Sequence, residues 1–276
     1  MGISDIKYNN FLLVSGWDCS VRLYNNGINN KVEFDNPILK STFTPGGQFY
    51  SGDVEGVLYQ VDMVYPKIIG SVVTPCGGIQ ALFTYRNAIL MGGWNNFIVI
   101  VEDNKVVSSY PQKGKILCGD ICEDKLIVGL TGGEIIIFDL RTMKPIYTHK
   151  HINSIRSIRY SHGVYYVGFI NGRIHKEDLT NTLASCTFHA HVDDNSVHYP
   201  VNSLEIKENI LMSGGSDGRV LKWDASKNKV IGELYKCPNS VGWINSYNNN
   251  IAIGYSNLYE KKEFIIKEEG IKIIRS

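Results

Sequence analysis

The sequence predicts an all-β protein, a seven-bladed β-propeller whose last blade has three strands. Three observations predict it. Six segments share one grammar, in which an apolar strand ends at a small residue, a polar or glycine-bearing turn follows, and a second strand closes on an aromatic or apolar residue and usually an acid. Their turns, at Asp18, Glu55, Asn95, Gly132, Asn171 and Asp217, recur at intervals of 37 to 46 residues, the length of a propeller blade. Helical periodicity is nearly absent, and glycine and proline punctuate the chain throughout.

Taken in order, the six segments run over Val14–Asn25, Ser51–Asp62, Met91–Glu102, Val128–Asp139, Val167–Asp178 and Ser213–Asp224. Asp-Gly or Asn-Gly between two β-branched runs lets a hairpin reverse tightly, because glycine accepts positive φ and Asp or Asn can bond its own backbone. A single blade cannot bury both of its faces, whereas blades stacked on one another can. A seventh, fainter blade reads over Val241–Ser246, Asn250–Tyr255 and Gly270–Arg275. The given sequence opens almost directly on the first inner strand, Ile3–Tyr8, so the last blade is expected to keep three strands and an open edge that a partner can cover. No linker or low-complexity tract interrupts the 276 residues, and the expectation is one domain, 1–276. The longest irregular stretch, Ala190–Tyr199, lengthens the fifth interval to 46.

Composition narrows the partners. Lys plus Arg number 28 against 27 Asp plus Glu, so no global field draws the chain to nucleic acid or a membrane, and charged recognition is expected to be local. The apolar residues come in short pieces such as Phe11–Val14 and Ile135–Phe138, far from the roughly 18 of a spanning helix. Met1–Lys7 lacks the pattern of a secretory signal. Six scattered cysteines suggest reduced thiols in a nuclear or cytosolic protein, with the close pair Cys118 and Cys122 read as core packing rather than zinc ligands.

Motifs for catalysis do not hold up. Gly214-Gly-Ser216-Asp-Gly218 matches the nucleophile elbow, but a strand, Arg219–Trp223, follows it where the elbow needs a helix. His189, His191, Asp193, Asp194 and His198 resemble a metal cluster on a first scan, yet a surface loop gathers such residues freely, so no metal is expected. No catalytic residue, cofactor site or enzymatic activity is expected. The basic residues are placed more pointedly: Arg156 and Arg159 on the fifth inner strand, Arg173 directly after its turn, and Lys7 on the first inner strand. Guanidinium suits carboxylate or phosphate. Trp17 and Trp94, beside the turns of blades one and three, serve either as peptide anchors or as packing at a blade junction.

Trp223-Asp224 is the signature dipeptide of the WD-repeat family, and the other segments carry degenerate versions of it. The string His198-Tyr-Pro-Val-Asn-Ser203, then Ser213–Asp224, Ala252-Ile-Gly-Tyr-Ser-Asn-Leu-Tyr-Glu260 and Gly270–Arg275, resembles the last two blades of the spindle-checkpoint propellers, the "budding uninhibited by benzimidazole" type. Phe11–Tyr24, Asp124–Gly129 and Phe138–Arg141 fit the same family. The sibling group is the nuclear mRNA-export propeller, which binds nucleoporin peptides; Tyr199-Pro200-Val201-Asn202 and Leu258-Tyr259-Glu260 favour the checkpoint member. The resemblance implies a non-catalytic adaptor in the nucleus, at the kinetochore in mitosis and in the cytoplasm, with no cofactor, no membrane and no sequence-specific nucleic acid. Its implied partners are a checkpoint kinase or scaffold peptide, bound across the propeller's top, and phosphorylated Met-Glu-Leu-Thr repeats of a kinetochore scaffold. By position it assigns Trp17, Trp94, Arg156 and, more weakly, Arg159 to the peptide, and Lys7 and Arg173 to the phosphopeptide. The family's Lys-Cys-His string reads His189-Ala190-His191 here, so a phosphate-facing lysine has become His189. That replacement weakens the carry-over.

Overall fold

The computed structural model of the chain describes residues 2–25, 27–257 and 268–275; the string Leu258-Tyr259-Glu260 lies outside them. The fold class is the one expected, an all-β seven-bladed propeller with a last blade of three strands. The described residues divide into two compact units, Met1–Leu117 and Cys118–Ser276.

The first unit carries three blades, each a four-stranded antiparallel meander. Blade one is β1 (Ile3–Tyr8), β2 (Leu12–Gly16), β3 (Ser20–Asn25) and β4 (Ile28–Glu33). Blade two is β5 (Ile38–Phe43), β6 (Phe49–Asp53), β7 (Val57–Asp62) and β8 (Lys67–Val73), and blade three is β9 (Ile79–Tyr85), β10 (Ala88–Gly93), β11 (Phe97–Glu102) and β12 (Lys105–Pro111). Blade four is β13 (Ile116–Cys122), β14 (Lys125–Leu130), β15 (Glu134–Asp139) and β16 (Lys144–Lys150). Blade five is β17 (Ile155–Ser161), β18 (Val164–Phe169), β19 (Arg173–Asp178) and β20 (Cys186–His189), with one 3-10 turn, Thr182–Ala184. Blade six is β21 (Val201–Lys207), β22 (Ile210–Gly215), β23 (Arg219–Asp224) and β24 (Lys229–Lys236); blade seven is β25 (Ser240–Tyr247), β26 (Asn250–Ser256) and β27 (Gly270–Arg275). Among the described residues no helix is long and apolar enough to cross a membrane.

Packing explains the glycine that stands one residue before the end of the second strand in blades two to six. From blade three to blade seven, a buried Ile or Val at the start of the inner strand drops onto a glycine of the preceding blade's second strand. A methyl added at Gly92 would stand 2.7 Å from Ile116 Cδ1, and one at Gly214 would collide with Val241. Glycine is there because the neighbouring side chain occupies the space of a Cβ. The apolar clusters follow the same logic, each built from two successive blades, as where Leu13, Val21 and Ile38 meet Phe49 and Met63. The second strands are buried throughout, while outermost strands such as β8 and β16 alternate between exposed and half-buried residues.

Two details differ from the tight two-residue hairpin. In blades one to six the turns between second and third strands span three residues, and the last takes the left-handed conformation: Gly56, Gly172 and Gly218 in blades two, five and six, Gly133 together with Gly132 in blade four, but Cys19 (φ 57°) and Asn96 (φ 65°) in blades one and three. The inner strands also carry a bulge one residue after their buried Ile or Val, so that Ser4, Leu39, Arg156, Asn202 and Gly242 are the inserted residues. A bulge re-aims its extra side chain. For Arg156 and Asn202 this sets the candidate site.

Candidate functional site

Trp17 and Trp94 occupy matching places. Each follows the last glycine of a second strand and each donates its backbone N–H to the glycine before its own blade's inner strand, Trp17 to Gly2 (2.7 Å) and Trp94 to Gly78 (3.1 Å). Each indole lies over that same glycine, which has no side chain to push it away. Trp17 remains 50% exposed, whereas Trp94 is half-buried. The turn beneath Trp17 is braced by Asp18, which accepts from Ser20 Oγ at 2.8 Å and from Arg22 Nη2 at 2.6 Å. Burial works against charge on Asp18, but those two donors outweigh it and hold the carboxyl below its ordinary value. An exposed indole on a braced turn loses little freedom when it enters a partner's pocket. Lys7 is half-buried on β1, opposite Leu13.

The two inner-strand arginines lie in the second unit, with different fates. Arg156 is exposed and its Nε donates to Asn202 Oδ1 at 3.1 Å. Asn202 is fixed in turn by donating to Ser216 Oγ (2.9 Å) and the Val241 carbonyl (3.0 Å). Arg159 is half-buried between carboxylates from two flanking inner strands, 3.0 Å from Glu205 Oε2 and 3.8 Å from Asp120 Oδ1. Glu205 also accepts from the backbone and hydroxyl of Ser246, and Asp120 from the Tyr160 N–H. Arg159 therefore ties strands together. Asn202 and Glu205 were missed from sequence, although each stands 46 residues, one blade, after the arginine it holds.

Arg173 opens β19 directly opposite His189 on β20, and the His189 ring stands 5.5 Å from that of His198. Register thus pairs Arg173 with His189 at the outer edge of blade five, with His198 beside the His189 ring. The rest of the histidine-rich stretch is put to other use. His191 is fully buried, its Nδ1 2.9 Å from Asp217 Oδ1 and its Nε2 2.9 Å from Ser213 Oγ, which also accepts from Trp223 Nε1 at 2.9 Å. Burial opposes charge on Asp217, but His191 and Arg219 outweigh it and hold the carboxyl well below the usual range. Asp193 caps its own loop, accepting from the N–H groups of Asn195 and Val197. His191 and Asp193 are thereby committed to structure, not to a metal. Ser216, the elbow candidate, is buried in a hairpin turn that continues into β23.

A second histidine group sits between β16 and β19. The rings of His149 and His151 are 4.4 Å apart and those of His151 and His175 4.7 Å, with His175 Nε2 2.8 Å from Glu177 Oε2. Burial, then the neighbouring imidazoles, push the His151 pKa down to about 4, and its Nε2 is buried without a hydrogen-bond partner.

No protein-family model matches the chain. It is similar along nearly its whole length to Mitotic checkpoint protein BUB3.1 of Arabidopsis thaliana, 24% identical with 98% of this chain and 88% of that protein covered. It is also similar to Mitotic checkpoint protein bub-3 of Caenorhabditis elegans (23%, 91% and 82%) and to Mitotic checkpoint protein BUB3.3 of Arabidopsis thaliana (21%, 84% and 80%). Among solved structures, the computationally designed Ika8 protein superposes with a TM-score of 0.73 at 16% identity, covering 92% of this chain and 80% of that one, a likeness of fold alone. The resemblance to spindle-checkpoint WD-repeat propellers is borne out.

Proposed function

We propose that this chain is a non-catalytic adaptor of the mitotic spindle checkpoint, acting in the nucleus and at kinetochores, that binds kinase or scaffold peptides and phosphorylated Met-Glu-Leu-Thr motifs. The observation that carries the reading is the whole-length similarity to proteins named for the mitotic checkpoint, which favours it over the mRNA-export alternative. The geometry adds support residue by residue. Trp17 and Trp94 offer indoles for the peptide, and Arg156 offers an exposed guanidinium beside a fixed amide. Arg159, already neutralised by Asp120 and Glu205, serves by holding the strands that present Arg156. Arg173 and His189 take the phosphate, and Lys7 has the same assignment, to be read by its own variant. The same reading treats residues 1–276 as one domain, for which a calorimetric melt should show a single transition.

The test is a comparison of phosphorylated and unmodified Met-Glu-Leu-Thr peptides by calorimetry. A phosphothreonine carries about −1.5 to −2 charges near neutral pH and bonds guanidinium strongly. The wild type should prefer the phosphorylated form, with the preference falling as salt rises. Arg173→Ala and Lys7→Ala should each erode it, while His189→Lys should bind at least as well as the wild type. Equal affinity for both peptides would sink the phosphate assignment.

A further inference from the structure

We propose that Cys122, Glu123 and His162 form a three-ligand site for zinc on the inner hairpins of blades four and five, separate from the peptide-binding residues. Cys122 closes β13 and Glu123 begins its turn, while His162 stands in the turn between β17 and β18. The thiol sulfur, a carboxylate oxygen and an imidazole nitrogen all lie within 4.8 Å of one another. Glu123 Oε1 and His162 Nδ1 are 3.3 Å apart. In a tetrahedral zinc site, bonds of about 2.0 to 2.3 Å put neighbouring ligand atoms about 3.3 to 3.7 Å apart, so small side-chain rotations complete the geometry.

The donor set selects the metal. Sulfur, nitrogen and oxygen together suit zinc, whereas magnesium and calcium take oxygen. Cys122 is a free thiol, half-buried against the apolar cluster shared by blades four and five, which fixes it in place. Glu123 and His162 are exposed, so the ion would sit at a rim with its fourth position open to water. Bound there, zinc would pin the β13–β14 hairpin to the β17–β18 hairpin. The reading departs from the sequence expectation that Cys122 is core packing alone, because the third ligand lies 40 residues after Cys122, one blade on, where only the stacking of repeats brings it back.

The experiment titrates the full chain with Zn2+ against a chromophoric chelator and, in parallel, with Co2+ to read thiolate coordination from its charge-transfer absorption. One ion per chain and a thiolate–cobalt band are expected. Cys122→Ser should abolish the band, and Cys122→Ser and His162→Asn should each weaken zinc at least tenfold, with Cys186→Ser unchanged. Zinc should raise the melting temperature of the wild type and not of His162→Asn. Circular dichroism confirms that each variant is folded. No binding at micromolar zinc, or binding that survives both substitutions, overturns the site.

Discussion

Blades one and six place an aspartate at the same turn and put it to opposite uses. In blade six the Asp217 side chain is 6% exposed and closes a buried chain through His191 and Ser213 to Trp223, with Arg219 bonded to its other oxygen. In blade one the Asp18 side chain is 32% exposed and pairs with Arg22, and the residue before it is the half-exposed Trp17 rather than the buried Ser216. The blade that keeps the full repeat pattern has committed its polar atoms to stability. The degenerate blade has a turn that needs less internal bonding and can present an aromatic side chain outward. In blade one, loss of the repeat signature therefore coincides with an exposed aromatic side chain beside the turn.

The largest effect should separate the two aspartates. Removing Asp217 leaves the buried His191 Nδ1 and the Arg219 Nε without their carboxylate partner, and breaking a buried pair of this kind costs roughly 3 to 5 kcal/mol. Removing Asp18 breaks a partly solvated pair worth about 0 to 1 kcal/mol. Urea denaturation of Asp217→Ala and Asp18→Ala should show that gap, and equal losses would erase the contrast.

A middle-sized effect should appear in binding instead of stability. Truncating an anchor tryptophan typically costs about 2 kcal/mol, roughly thirtyfold in affinity. Trp17→Ala should weaken a checkpoint-kinase peptide by that order while its urea midpoint stays near that of the wild type. Trp94→Ala, which uncovers Gly78 from a half-buried position, should lose stability as well. If Trp17→Ala binds normally, blade one resembles blade six after all.

A further effect is in acid and concerns polar groups buried without full pairing. His151 has a folded pKa of about 4 against an ordinary value of 6.5, so the unfolded chain takes up the proton first. Its contribution is intact above about pH 6.5 and is lost as pH falls towards 4. Melting temperature should decline across that window, and His151→Phe should flatten the decline. An unchanged slope would remove His151 as the cause.

Much of the blade plan was legible because local chemistry repeats. The strands Ile3–Tyr8, Arg219–Asp224 and Gly270–Arg275 follow from β-branched runs between turn residues, and a period of 37 to 46 residues counts the blades. Tryptophans beside turns could be singled out as bulky residues where other repeats carry small ones. What a side chain touches was another matter. Nothing in the string His189-Ala190-His191 says that the first ring stands on an edge strand and the second lies buried against Asp217, because that depends on register between β19 and β20 and on how the loop folds back. Arg156 and Arg159 read alike along one strand, yet a bulge turns the first outward to Asn202 and leaves the second between Asp120 and Glu205. The sequence by itself determined the number of repeats and the turn chemistry, since both are set by residues close along the chain. Only the tertiary structure decided which arginine, histidine or tryptophan remains available to a ligand, since its partners lie a whole blade away.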